Sequence, residues 1–302
     1  MAKAGRKMER RRSRLPTPSE RHTMNRGPLS TTFLAVVLAG STGDVAAQRR
    51  VAADTDIGTG LAMARAATVA PAPFGPGERV EYGVTYGFLG RRGTAVSQIV
   101  GVDTLRGHPS YHLSFHLRGG VLGFNINDHQ ESWLDIANLY SHRFRQDLDQ
   151  PRYERLRTLD FYPADMVWRR VEKEESGPLA TDLPLDDVSF LYWSRTLPLE
   201  VGRTYTFPRY FKAEGNPVTI QVLRKQQVTV PFGTFNTIVV RPLIRTDGLF
   251  SEGGEAEVYY TDDWRRLIVL VKTKMPFAEM EMRLENYTAG KLLGQATNTG
   301  RQ

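Results

Sequence analysis

Between Gly77 and about residue 288, apolar and polar residues alternate in short runs separated by Gly, Pro, Asn and Asp. That period of two belongs to half-buried strands, not to the 3.6-residue repeat of helices. The clearest run is Tyr111 to Arg118, where Tyr111, Leu113, Phe115 and Leu117 fall on one face and His112, Ser114, His116 and Arg118 on the other. Such a strand has a core side and a wet side. Similar runs occupy 79–88, 94–102, 123–134, 139–147, 153–161, 165–172, 203–211, 217–230, 235–244, 254–261, 266–274 and 278–287. Pro231-Phe232-Gly233 and Asp262-Asp263-Trp264 supply the backbone freedom of tight reversals between them. Closely spaced strands without intervening helical patterns predict an antiparallel architecture. The predicted fold is mainly all-β: a curved antiparallel sheet, a half-barrel or an open barrel of about a dozen strands, with one principal helix.

The helix is the one segment that breaks the alternation. Asp186 and Asp187 form an acidic start, Val188, Leu191, Tyr192 and Arg195 follow at helical spacing, and Pro198 is a stop after Leu197. Phe190, Trp193 and Leu197 add apolar surface on the remaining sides, so burial all round is expected, across the concave face of a curved sheet. A core plug is the preferred reading and a ligand gate the alternative. The Gly and Pro residues at 176–184 read as the approach to this helix.

Ahead of the strands the pattern changes. From Met24 the chain reads as a secretory signal: Asn25 and Arg26, an apolar stretch from Leu29 to Ala39, a break at Gly40, and Val45-Ala46-Ala47 before a cleavage expected near Gln48. Met24 is thus the expected start, within a leader region of residues 1–47. About eleven apolar residues are too few for the roughly twenty that span a bilayer as a helix, so no span is expected after cleavage. Residues 48–75 are rich in Ala, Thr, Gly and Pro and read as a flexible tether. One β-rich domain over 76–290 and a polar tail over 291–302 complete the organisation. Export is expected to deliver the domain to the periplasm or outer cell envelope.

Charge changes the picture only by its location. The net charge is +7, but residues 1–47 hold nine basic and three acidic residues, so six of those seven charges sit in the leader. The remaining domain is nearly neutral and lacks the basic footprint of a nucleic-acid binder. The chain contains no cysteine, which removes disulfides, thiolate metal sites, a cysteine nucleophile and the lipid-modified cysteine of bacterial lipoproteins.

Catalytic motifs are sparse. There is no G-x-S-x-G elbow and no H-E-x-x-H. Gly58-Thr59-Gly60 lacks a third glycine and lies in the tether. Five of the six histidines fall between His108 and His142, but His112 and His116 on one strand face are about 13 Å apart, too far to share a metal directly. A metal would need cross-strand partners such as His129 or His142; hydrogen-bonded histidines are the preferred reading, and neither metal nor cofactor is expected. Asp262 and Asp263 read as turn residues.

Several segments in order resemble a bacterial family known as domain of unknown function 3108, whose members are typically exported and β-rich. They are Gly77-Glu78-Arg79-Val80-Glu81-Tyr82, Tyr86 to Gly90, Gly93-Thr94-Ala95, Asp187 to Leu199 before Gly202 and Tyr205, Val230 to Phe235, and Gly248 to Leu284 with Tyr260-Thr261-Asp262-Asp263-Trp264-Arg265-Arg266-Leu267. The resemblance implies location and fold, and no activity. A looser similarity links the sheet pattern to the half-barrels of periplasmic lipoprotein carriers, which wrap apolar ligands.

The aromatic supply is large for one sheet, and Tyr86, Phe88, Tyr111, Phe115, Trp133, Tyr192, Trp193 and Tyr259 are the candidate ligand-binding residues. A largely apolar groove with few polar contacts is the usual form of a small-molecule site. The leading expectation is non-catalytic binding of a lipid or other apolar envelope ligand. A structural or adaptor role, pairing with an envelope protein through sheet edges and aromatic patches, is the alternative. A glycan or lipid hydrolase ranks lower, with Asp128, Glu131, Glu255 and Asp262 as the carboxylates to inspect.

Overall fold

A computed structural model describes residues 72–121, 124–151, 153–243, 256–274 and 279–293. The leader, the tether up to residue 71 with Gly58–Gly60, Glu255 and the tail from residue 294 lie outside the described residues.

The alternating runs form strands β1 (Arg79–Tyr86), β2 (Arg91–Leu105), β3 (His108–Val121), β4 (Phe124–Asp135), β5 (Ser141–Gln150), β6 (Tyr153–Tyr162), β7 (Val167–Arg170) and β8 (Ser176–Pro178). After helix α1 (Asp187–Trp193) come β9 (Thr204–Phe207), β10 (Val218–Val230), β11 (Gly233–Leu243), β12 (Glu257–Thr261), β13 (Ile268–Lys274) and β14 (Glu279–Thr288). All lie in one antiparallel sheet, ordered β8-β7-β6-β5-β4-β3-β2-β1-β14-β13-β12-β11-β10-β9. Two meanders are therefore joined where β1 pairs with β14. The sheet stays open, with β8 and β9 at its edges. Strand β8 arises where an approach to the helix was expected; it pairs with β7 through Val167, Trp168 and Arg169.

The open edges do not face each other bare. Leu185, following β8, and Tyr210, following β9, form a parallel bridge, with Leu185 N donating to Arg209 O at 2.6 Å and Phe211 N to Leu185 O at 3.1 Å. A second contact, Ala180 N to Phe211 O at 3.1 Å, extends this seam.

Helix α1 shows how strongly the sheet curls. Asp186 caps it, its Oδ1 accepting from Val188 N at 3.0 Å and Ser189 N at 2.9 Å, while Ser189 Oγ accepts from Asp186 N at 2.8 Å. Seven residues make a helix only about 10 Å long, too short to persist without tertiary packing. Val188, Ser189, Phe190, Tyr192 and Trp193 are buried. Ser189 Oγ accepts from Ser141 Oγ on β5 at 2.7 Å, and Ser194 Oγ lies 2.8 Å from Tyr260 Oη on β12. Those strands are seven places apart in the sheet, which would separate them by about 33 Å if it were flat. The sheet therefore curls around the helix. Bulges in β2, β5, β10, β13 and β14 assist the bend. Gly93 and Gly119 face each other across β2 and β3, where a Cβ on Gly93 would come within 2.5 Å of Arg118 O. No described helix is long and apolar enough to cross a membrane.

Candidate functional site

Cross-strand registers show the inner face changing character along the sheet. One row runs Val80, Ser97, Phe115, Gln130, Gln146, Arg157 from β1 to β6; the next runs Tyr82, Ala95, Leu117, Asp128, Leu148, Arg155. Along these two rows the inner face is mostly apolar and aromatic over β1–β3 and mostly polar over β4–β6.

The aromatic half is filled. Ser97 Oγ and Tyr192 Oη are 2.9 Å apart, and Phe74 meets Tyr111 and Tyr192 edge-on, with ring centroids 5.5 and 5.2 Å away. Beside them Arg195 and Glu78 form a buried ion pair, Nη1–Oε1 2.5 Å and Nη2–Oε2 3.1 Å, and the guanidinium also donates to Arg265 O. A cavity of about 30 Å³ lined by Tyr82, Ser97, Phe115, Tyr192 and Arg195 remains. That holds one or two waters, against the several hundred Å³ of a small-molecule site.

The aromatic candidates divide accordingly. Tyr86, Tyr111, Phe115, Tyr192 and Trp193 are buried, with Trp193 edge-on to Phe207 at 4.8 Å and under the Arg209 guanidinium. Phe88 is 93% exposed in a turn after β1. Trp133 is on the outer face, stacked on His112 at 4.5 Å and donating to Asp103 at 2.8 Å. Tyr259 points away from the helix, donating to Glu257 at 2.7 Å, whereas its neighbour Tyr260 reaches Ser194. The carboxylates do not converge either: Asp128 faces inward, Glu131 faces outward to His112 and Arg145, and Asp262 is held in a turn by Lys225 and Arg266.

The polar half contains groups that no catalytic motif pointed to. Asp187, the first residue of α1, accepts from Tyr210 Oη at 3.0 Å on Oδ1, while its Oδ2 is sealed from solvent with no hydrogen-bond partner. Burial, reinforced by the charge of Asp186, pushes Asp187 up from 3.8 to about 7. Arg157 and Lys212 act on it from β6 and from the segment after β9, that is, from the two sides of the seam. Lys212 is pushed down to about 8 by burial and by Arg157, and Arg157 is lowered by burial and by Arg155. Arg157 donates through Nη2 to Gln146 Oε1. Buried atoms without a hydrogen-bond partner concentrate here: Gln130 Nε2, Tyr153 Oη, Arg155 Nη1, Arg157 Nε and Asp187 Oδ2. Farther along β4, burial raises Asp128 to about 6, partly offset by Gln150 donating at 2.6 Å.

Three cations thus crowd one sheltered region whose nearby carboxylate is itself held near neutrality. Like charges held together away from water are costly. The region can receive an anionic group. The signal in the sequence was polar residues at inward positions of β4 and β5, where Asp128 lies opposite Leu117 of β3 and Gln130 and Gln146 continue the row of Phe115. Lys212 comes from an irregular segment with no such pattern.

Among the histidines, His112, His116 and His129 lie on the outer face with Glu131, Asn127 and Ser114 as partners. His108 and His142 meet Asp135 where β3, β4 and β5 begin or end.

The family of proteins of unknown function DUF3108 matches residues 81–285. The chain belongs to this family. The matched span takes in all strands from β2 to β13, the plug helix and the cationic region. Solved structures are similar at low identity. A β-barrel-like protein of the domain of unknown function DUF1849 from Brucella abortus is 11% identical, with 74% of this chain and 100% of that chain covered at a TM-score of 0.46. A candidate lipoprotein of Parabacteroides distasonis is 9% identical, with 72% and 99% covered at 0.34. No curated protein matches.

Proposed function

We propose that this DUF3108 protein is an exported envelope protein that binds, without covalent chemistry, the acidic group of a small amphiphilic molecule. The acidic group lies among Arg155, Arg157 and Lys212, and the apolar part rests on Leu117, Leu148 and Tyr86, which neighbour Asp128 on the inner face. The observation that carries this reading is that Arg157 and Lys212 share one sheltered region with a carboxylate raised to about 7, with Arg155 beside both cations. The Met24–Ala47 leader supports a periplasmic or outer-envelope location. A second reading, an adaptor for an envelope protein, draws on the filled aromatic half and on Phe88 and Trp264, which are 93% and 64% exposed.

The test compares a medium-chain fatty acid with the fatty alcohol of equal length, by thermal shift and calorimetry on the purified mature protein. The acid is expected to bind at least about tenfold more tightly, the difference of one charge-assisted contact, and Arg157→Gln to abolish that preference. Equal binding of acid and alcohol, or of neither, overturns the proposal; stable co-purification with one envelope protein in the latter case selects the adaptor.

A further inference from the structure

His108 opens β3, Asp135 closes β4 and His142 is the second residue of β5, so three adjacent strands deliver one side chain each to the same end of the sheet. Their ligand atoms all lie within 4.8 Å of one another. His142 Nε2 is 3.0 Å from Asp135 Oδ2, and His108 Nδ1 is 3.7 Å from that same oxygen. The first distance is a hydrogen bond; the second is too long for one. Both bracket the roughly 3.4 Å that separates two donor atoms on a tetrahedral ion with bonds near 2.05 Å.

The surroundings hold this geometry in place. The other carboxylate oxygen, Asp135 Oδ1, accepts from Ala137 N at 3.0 Å, Asn138 N at 2.7 Å and Asn138 Nδ2 at 3.1 Å. Those three bonds fix the carboxylate plane and leave Oδ2 turned toward both imidazoles. Asp135 and His142 are buried, whereas His108 is half-exposed. The two rings sit 4.7 Å apart, and Tyr140 closes against His142 at 4.7 Å. Arg106 donates to His142 O at 2.8 Å, and its Nη1 lies 3.3 Å from Asp160 Oδ2, so its charge is balanced away from the cluster.

We infer that His108, Asp135 and His142 form a binding site for a first-row divalent metal ion, with Zn²⁺ as the expected ion. Two imidazoles and one carboxylate are a borderline-to-hard donor set that suits Zn²⁺, and three protein ligands leave a fourth position for water. The hydrogen bonds on Asp Oδ1 are the outer-shell support that such ligands require. Bound there, the ion ties together the ends of β3, β4 and β5.

The test uses the full mature chain stripped with chelator. Calorimetry with Zn²⁺ is expected to show one ion per chain, and Co²⁺ in its place to give the visible absorption of a four-coordinate site. His108→Ala makes the decisive variant, because His108 is half-exposed and has no hydrogen bond to Asp135 to lose. Its melting temperature in chelator should equal that of the parent, while Zn²⁺ affinity falls by more than about a hundredfold, beyond the loss typical of an outer-shell partner. Asp135→Asn should lose the Co²⁺ spectrum as well. Undetectable Zn²⁺ binding by the parent, or undiminished binding by folded His108→Ala, overturns the assignment.

Discussion

Replacing Asp187 by Asn is expected to alter stability in a pH-dependent way whose size follows from its surroundings. Burial raises this carboxyl from 3.8 to about 7, so ionising it in the folded state costs about 4 kcal/mol, at roughly 1.4 kcal/mol per tenfold. The sign follows from proton uptake. Between pH 3.8 and about 7 the folded protein keeps a proton that the unfolded chain has released, so stability falls as pH rises through that window and is lowest above it. Asn carries no such penalty. It preserves the acceptor for Tyr210 Oη but places an amide NH₂ where Oδ2 has no partner, a pH-independent cost of about 1–3 kcal/mol. That cost cancels in the difference between two pH values, which isolates the linkage. Relative to the parent, Asp187→Asn should gain about 4 kcal/mol more at pH 8 than at pH 4 on this linkage. Urea unfolding of both proteins at the two pH values measures it directly. An equal change at both would show that Asp187 is ionised in the fold at its ordinary value, and the near-neutral carboxylate on which the proposed anion site depends would fall with it.

The remaining predictions concern buried cations. Lys212→Met should stabilise the protein below about pH 8, because its ammonium is held down to about 8 and the penalty on the charged form fades only as pH rises from there toward 10.5; a gain of about 1 kcal/mol is expected after solvent screening, with loss of acid binding in the fatty-acid assay. Destabilisation at pH 7 would contradict the crowding of like charges. Arg195→Met should cost about 3–5 kcal/mol by stranding Glu78, and adding Glu78→Gln should recover much of it in urea melts; a double variant no more stable than the single one would mean that Arg195 acts by packing alone.

Strand alternation made most of the sheet legible, since Tyr111, Leu113, Phe115 and Leu117 do turn inward together. The three-residue β8 escaped because Ser-Gly-Pro carries no alternation, and its pairing is an edge contact made by the neighbouring strand's backbone. For the helix, the acidic start and all-round apolarity predicted a buried plug. It ends at Trp193 and tightens into a 3₁₀ turn at Ser194–Thr196, which swings Arg195 onto Glu78. The cationic region was hidden for a physical reason. In Tyr153–Tyr162 both faces mix polar and apolar residues, so the sequence of β6 does not say which of Arg157 or Leu156 looks inward; Leu156 is 53% exposed and Arg157 sheltered. Trp133 misled in the opposite sense, because a ring stacked on His112 buries its faces without entering the core. His108 and His142 became neighbours only through registers that join three strand ends.

The pairing of β1 with β14 has a consequence for the chain as a whole. Lys291 N donates to Pro76 O at 2.9 Å, so the polypeptide enters and leaves the domain at a single point. A short linker joining residues 74 and 292 would then close the chain into a circle with no strand disturbed. New ends cut at the Pro231-Phe232 reversal should yield a permutant with the same circular dichroism spectrum, as expected of a fold whose first and last strands lie side by side.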